Sequence, residues 1–204
     1  GKNAINVVPG AASALTKDDI NQAADVIKNS QVFLTQLEAP KEVVFHALEI
    51  AKENNVITVL NPAPAAPIDK EIFPLIDYFT PNETEASFYV NHKVEDEEDA
   101  KKASDKLLQL GIKNIIITLG EKGAFFANDR ENFHVPVIDL NNPVVDTTGA
   151  GDAFNGGFAV ALTENGKQNI KDSIKFASAT AGLSTTKIGT ANSMPSREEI
   201  DKLL

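Results

Sequence analysis

The sequence has no cysteine, no tryptophan and a single methionine. Without thiols it forms no disulfide and uses no thiolate nucleophile, and a zinc site would have to be built from histidine and carboxylates alone. The lack of cysteine also suits a cytoplasmic protein. Basic residues are the scarcer charge: 19 Lys and Arg stand against 29 Asp and Glu, a formal net charge of −10. A surface of that sign repels nucleic-acid backbones and anionic membranes, so neither is an expected partner. An anionic small molecule would need a local pocket of amides, cations or metal. No run approaches the ~20 apolar residues that cross a bilayer. Gly1–Gly10 carries one charged side chain and no apolar stretch of the secretory kind. What remains is 204 residues, 42% of them hydrophobic. That is enough for one sizeable core, and the chain reads as one domain spanning 1–204.

Two periodicities alternate along it. Short apolar runs predict strands at Ala4–Val8, Val32–Gln36, Val56–Leu60, Tyr78–Thr80 and Asn114–Leu119. Gly123–Ala127 and Phe133–Val137 read as a hairpin pair. Between the strands lie amphipathic stretches that predict helices at Lys17–Lys28, Lys41–Asn54, Glu83–Val90 and Asp96–Leu110. Three more, Ala150–Thr163, Asn169–Ser184 and Ser196–Leu204, close the chain. Thr16 is a plausible N-cap for the first helix and Gly111 a stop for the fourth. Strands alternating with helices imply an α/β fold: a doubly wound, mostly parallel sheet with helices on both faces. Ligands of such sheets bind beyond the carboxyl ends of the strands. The segments to inspect therefore follow Leu60, Phe79, Leu119 and Val145.

After Val145 the chain runs Asp146-Thr147-Thr148-Gly149-Ala150-Gly151-Asp152, then Ala153-Phe154-Asn155-Gly156-Gly157. Small residues let successive backbone amides converge, and a helix N-terminus adds roughly half a positive charge. The result would be an anion hole without lysine. A carboxylate at its mouth, Asp152, could take a proton from a hydroxyl attacking a phosphoryl group. The plainer alternative is a tight turn with an acidic helix start. Gly156 and Gly157 weigh against it, because a glycine inside a helix costs about 1 kcal/mol relative to alanine and is kept where backbones pack closely.

Thr80-Pro81-Asn82-Glu83-Thr84-Glu85 is a capping motif in which Asn82 and Glu85 complete the box. The same pair shares one helical face and could hold a hydrated Mg²⁺ through water. Asn61-Pro62-Ala63-Pro64-Ala65 reads as an extended exit from a strand. Gly120 and Gly123, in Thr118-Leu119-Gly120-Glu121-Lys122-Gly123, would let a nucleotide come close to the backbone or merely shape a loop. Glu38, after another strand, could accept hydrogen bonds from a polyol or cap the next helix. His46 reads as a helix-face residue, and Glu95–Asp99 as a solvated helix start.

Taken in order, these segments resemble the ribokinase family, also called the PfkB carbohydrate kinases, from Gly1 to Leu204. Asp146–Gly157 is similar to the family's C-terminal signature and Thr80–Glu85 to its N-x-x-E segment. Gln36-Leu37-Glu38, Asn61–Ala65 and Thr118–Gly123 narrow the likeness to its ribose-phosphorylating branch. The resemblance implies ATP-dependent phosphorylation of a sugar primary hydroxyl, D-ribose to D-ribose 5-phosphate, with Mg²⁺ and an activating K⁺. It implies Asp152 as the base, with the amides of Ala150, Gly151 and Asp152 forming the anion hole for the γ-phosphate and Gly149 among the catalytic residues. It places ATP at Asn82, Thr118, Gly120, Glu121, Lys122, Gly123, Gly151 and Ser178, and the sugar at Glu38 and Asp152. Mg²⁺ would be held indirectly by Glu85, and the monovalent cation by Asp146, Thr148, Ser184, Lys187, Gly189 and Ser193.

One departure bears on all of this. The family's N-terminal segment carries a Gly-Gly sugar motif, sugar-contacting acids and a small β-sheet lid, and the only Gly-Gly here is Gly156-Gly157. The chain is therefore expected to lack that segment, the lid, and with it the lid-mediated homodimer of the complete protein. As given, it should bind adenine nucleotide better than ribose and turn over poorly or not at all. A kinase for another sugar or nucleoside, and a nucleotide-binding module without turnover, are the alternatives.

Overall fold

The computed structural model describes residues 8–140, 142–165 and 169–204. The strand expected at Ala4–Val8 lies outside them except for Val8. Among the described residues the chain divides into two compact units. The larger holds 8–120 and 125–134; the smaller holds 121–124, 135–140, 142–165 and 169–204.

The sheet has six strands in chain order: β1 Val32–Thr35, β2 Ile57–Leu60, β3 Tyr78–Phe79, β4 Asn114–Thr118, β5 Ala124–Asn128 and β6 Asn132–Val135. β1 to β4 are parallel, with Val32 opposite Ile57, Val59 opposite Tyr78, and Tyr78 opposite Asn114. Parallel neighbours need a crossover. Helix α3 (Lys41–Glu53) links β1 to β2, and α4 (Glu83–Val90) and α5 (Glu97–Leu108) link β3 to β4. The α/β expectation holds. The carboxyl ends of four strands thus lie along one edge, followed by Gln36, Asn61, Thr80 and Leu119.

Residue type accounts for these elements. Ile115, Ile116 and Ile117 are all fully buried, so β4 shows the unbroken apolar run of a strand covered on both faces. The main core packs Leu60, Phe79, Ile115, Ile117 and Phe125 against Val44 and Leu48 of α3, Ala86 of α4, and Ala103 and Leu107 of α5. Phe79 meets Phe73 and Tyr89 edge to face. The hairpin closes through Asn128, whose side-chain carbonyl accepts the amides of Arg130 and Glu131. The single helix expected at Lys17–Lys28 is two: α1 (Lys17–Gln22) and α2 (Ala24–Lys28). They part at Ala23, whose amide is shared between the Asp19 and Ile20 carbonyls. Thr16 caps α1 as expected.

At the opposite, amino end of the strands Asp77 is buried, 6% exposed. It accepts Lys52 Nζ at 2.5 Å, Lys113 Nζ at 3.0 Å and the Thr58 amide at 3.2 Å. Burial alone would push its carboxyl up; the two lysines and Thr58 outweigh that and hold it below the usual range. A depressed folded value stabilises the fold above the unfolded pKa of ~3.9, and that stability is lost as pH falls through the folded value. Asp77→Asn is expected to cost about 2–3 kcal/mol at neutral pH, less than a fully buried pair because Lys113 can turn to solvent. It should also flatten the acid limb of the stability curve below about pH 4. Urea unfolding across pH checks both.

In the smaller unit α6 (Ala150–Asn165) and α7 (Ile170–Ser184) pack tightly. A Cβ on Gly157 would sit 2.6 Å from Thr180 Oγ1 and 3.2 Å from Ala177 Cα, so the close approach expected of this helix falls at Gly157. At Gly156 a Cβ would meet nothing within 4 Å. Helix α8 (Arg197–Leu203) docks Ile200 on Ala161, Phe176 and Ala179, and Arg197 lies over the Phe176 ring.

Candidate active site

In the larger unit a row of polar groups follows the strand ends. Asn82 caps α4, and Glu85 completes the box in both directions. Asn82 Oδ1 accepts the Glu85 amide at 2.8 Å, and the Glu85 carboxylate accepts the Asn82 amide at 2.9 Å and Asn82 Nδ2 at 3.0 Å. Glu85 is 8% exposed. Burial pushes its carboxyl up, against the Asn82 amide, which pulls it down. The Thr118 amide donates to the Pro81 carbonyl at 3.0 Å, which brings the end of β4 beside the N-x-x-E turn. Gly120 follows in the left-handed region with φ +54°, where an added Cβ would lie 3.6 Å from Glu83 Oε1. Glu38 is exposed. Among the described residues no three His, Asp or Glu side chains gather as a metal cluster. One buried carboxylate beside an amide fits Mg²⁺, which keeps most of its waters and binds chiefly through phosphates.

Sequence reasoning overlooked a link in this row. Gln36 Nε2 donates to Asn61 Oδ1 at 2.9 Å, and Asn61 Nδ2 donates to the Thr80 carbonyl at 2.9 Å. The signal was present: an asparagine directly after an apolar strand and before proline, where an amide would be buried. It is 8% exposed.

In the smaller unit Gly123 has φ +92°, and a Cβ there would fall 2.1 Å from the Val135 carbonyl oxygen. Glu121 and Lys122, in the short 3-10 turn before it, are exposed. Gly149 has φ +79° and packs on Thr190, 3.3 Å from where a Cβ would be. It supplies the sharp entry into α6. Asp152 sits exposed in the first turn of that helix. The Ala150 amide is already engaged with the Thr147 carbonyl at 3.2 Å. Gly151 lies outside the left-handed region, and a Cβ on it would meet nothing within 4 Å. Beside Asp152 a cavity of about 330 Å³ runs along Gly156, Val160, Phe176, Thr180 and Arg197. Ser178 is half-buried on α7.

The Asp146 loop is tied to the end of α7. Asp146 Oδ1 accepts the Thr148 amide at 3.0 Å and Oδ2 accepts the Gly189 amide at 3.1 Å. The Thr148 amide, its hydroxyl and then Gly189 hold the carboxyl below its usual range. The Val145 and Asp146 amides both donate to the Thr185 carbonyl. Ser184 and Ser193 are buried, and their hydroxyls donate to the Ala181 and Thr190 carbonyls, leaving oxygen lone pairs. Lys187 turns its ammonium to Glu199, 3.0 Å away. One carboxylate among neutral oxygens is a donor set that suits a hard monovalent cation.

Comparisons with known proteins bear on the family. The profile of the pfkB family carbohydrate kinases matches residues 1–197. A ribokinase of Staphylococcus aureus (strain COL) is 38% identical over 203 residues, covering 100% of this chain and 66% of the relative. A deoxyribokinase of Salmonella typhi is 37% identical, covering 99% and 65%. The structure of Arabidopsis thaliana ribokinase complexed with ribose and ATP matches with a TM-score of 0.89 at 32% identity, covering 100% of this chain and 65% of that one. The chain thus spans about two thirds of the length of the relatives it matches. With the family profile running almost from end to end and the signature segments seated at strand ends and a helix start, the chain belongs to the pfkB family of carbohydrate kinases.

Proposed function

We propose that the protein transfers the γ-phosphoryl group of ATP to the primary hydroxyl of a pentose, D-ribose first, releasing ADP and D-ribose 5-phosphate. The observation that carries the reading is Asp152 in the opening turn of the 16-residue α6, directly after the left-handed Gly149. Asp152 takes the proton from the attacking hydroxyl. The oxygen bonds to the γ-phosphorus, and the bond from that phosphorus to the bridging oxygen breaks. The amide of Gly151 and the α6 dipole oppose the negative charge on the transferring group. Asn82 and Glu85 orient the hydrated metal, and Mg²⁺ when bound neutralises phosphate charge. Thr118, Gly120 and Gly123 receive the nucleotide, Ser178 lies toward its base, and Glu38 accepts hydrogen bonds from the sugar.

2-Deoxyribose is the second reading. The deoxyribokinase relative is as similar as the ribokinases, at 37% identity, and covers the same span. The test is product formation from ATP with ribose and with 2-deoxyribose, using the protein as its gene encodes it. Ribose is expected to give the larger kcat/KM, and a reversal makes the sugar deoxyribose. ADP formation equal with and without sugar would remove the kinase reading.

The Asp146 loop adds a second expectation. A monovalent cation bound among Asp146, Thr148 and the Ser184–Ser193 segment would stiffen the turn that aims the α6 amides. Potassium should raise turnover over tetramethylammonium by about tenfold, and Asp146→Ala should abolish that difference. Equal rates in the two salts would remove the cation from the account.

A further inference from the structure

Asn61 has no place in the roles set out above, yet its side chain joins three strand ends. Its Oδ1 accepts Gln36 Nε2 from the end of β1 at 2.9 Å. Its Nδ2 donates to the Thr80 carbonyl after β3 at 2.9 Å. The Thr80 carbonyl that it holds lies two residues before Asn82, whose capping box fixes the Glu85 carboxylate in the first turn of α4. An amide both donates and accepts, and these two partners engage both ends of the group. The backbone anchors it equally firmly: the Asn61 amide donates to the Thr35 carbonyl at 3.0 Å, and its own carbonyl accepts the Ala63 amide at 2.8 Å. The Leu37 amide in turn donates to the Ala63 carbonyl at 2.9 Å. Gln36-Leu37-Glu38 and Asn82–Glu85 are therefore joined through one buried carboxamide.

We propose that Asn61 is a positioning residue for phosphoryl transfer: by holding the Thr80 carbonyl it fixes the turn that carries Asn82 and Glu85 relative to the strand ends, so that the pair meets the metal-bound phosphates without first rearranging. The proposal rests on the reading that Asn82 and Glu85 serve MgATP. A buried hydrogen bond confers orientation as well as stability, and a rigid supporting shell is what keeps a site within its working geometry. The link through Gln36 gives the segment bearing Glu38 a share in the same frame. If Asn61 served only to satisfy the Thr80 carbonyl, its loss would lower stability and leave metal dependence intact.

The test separates the two. ATP is titrated calorimetrically into the chain Gly1–Leu204, without sugar, once in Mg²⁺ and once in EDTA. The original protein is expected to bind more tightly in Mg²⁺, and Glu85→Gln should erase that gain. Asn61→Leu should reduce the gain about tenfold and leave the affinity in EDTA unchanged. Should Asn61→Leu fold poorly, Gln36→Met takes its place, because Gln36 is half-buried and its loss releases the Asn61 carboxamide from the end of β1; about a threefold reduction is then expected. A full Mg²⁺ gain in Asn61→Leu or Gln36→Met, with Glu85→Gln having lost it, overturns the positioning role alone. A gain that survives Glu85→Gln, or no gain in the original protein, overturns the reading of Glu85 and this proposal together.

Discussion

Asp152→Asn is expected to lower kcat for pentose phosphorylation by about 10²–10⁴-fold, the usual range for loss of a general base. Asparagine keeps the shape and the place in α6 but cannot take the proton of the attacking hydroxyl. Because Asp152 is exposed, the substitution leaves no buried charge unpaired, and stability should fall by no more than about 1 kcal/mol. ATP affinity should also hold, since the nucleotide segments are untouched. Steady-state kinetics beside calorimetry on the same preparation checks the pattern. A variant with near-normal turnover would take Asp152 out of the mechanism.

The second large effect is on folding. Gly123→Ala is expected to cost about 3 kcal/mol or more, from a strained backbone together with a steric overlap. At φ +92° the backbone disfavours any L side chain, and the added methyl would stand 2.1 Å from the Val135 carbonyl oxygen, a backbone atom that cannot swing aside. Gly151→Val makes the contrast. Its Cβ projects into open space and its φ is not left-handed, so the fold should survive while the branched side chain blocks phosphate from the helix start. Denaturant midpoints and ATP affinity for the two variants should therefore move in opposite proportions: a large loss of stability at Gly123, a large loss of binding at Gly151. Equal stability of Gly123→Ala and the original protein would contradict the geometry of this turn.

Features set by neighbours in sequence were legible in the residues. Helix α4 runs Glu83–Val90 as expected, because Asn82 and Glu85 make a local capping box that needs no distant partner. The apolar run of β4 reports a strand buried on both faces in any arrangement. Other features depend on distant residues. Asn61 reads as the exit of a strand until Gln36 and Thr80 are brought to it, 25 and 19 positions away. Which glycines of the candidate site carry positive φ was equally hidden: Gly120, Gly123, Gly149 and Gly189 do, and Gly151 does not. Composition cannot distinguish a glycine kept for its backbone from one kept for the space it leaves. The helix expected at Lys17–Lys28 keeps its apolar spacing through Ala23, so periodicity gave no warning of the break there.

The measurement nearest to the central claim is ³¹P NMR of ATP, Mg²⁺, K⁺ and D-ribose incubated with the protein as its gene encodes it, with and without the Asp152→Asn substitution. The account expects the γ-phosphate signal to decay while ADP and a phosphomonoester coupled to the two C5 protons grow in equal amount. It expects neither product without sugar, and a rate lower by about 10²–10⁴-fold in the variant. Phosphate appearing as the free inorganic ion, or phosphomonoester forming as fast with Asn at position 152, would contradict it.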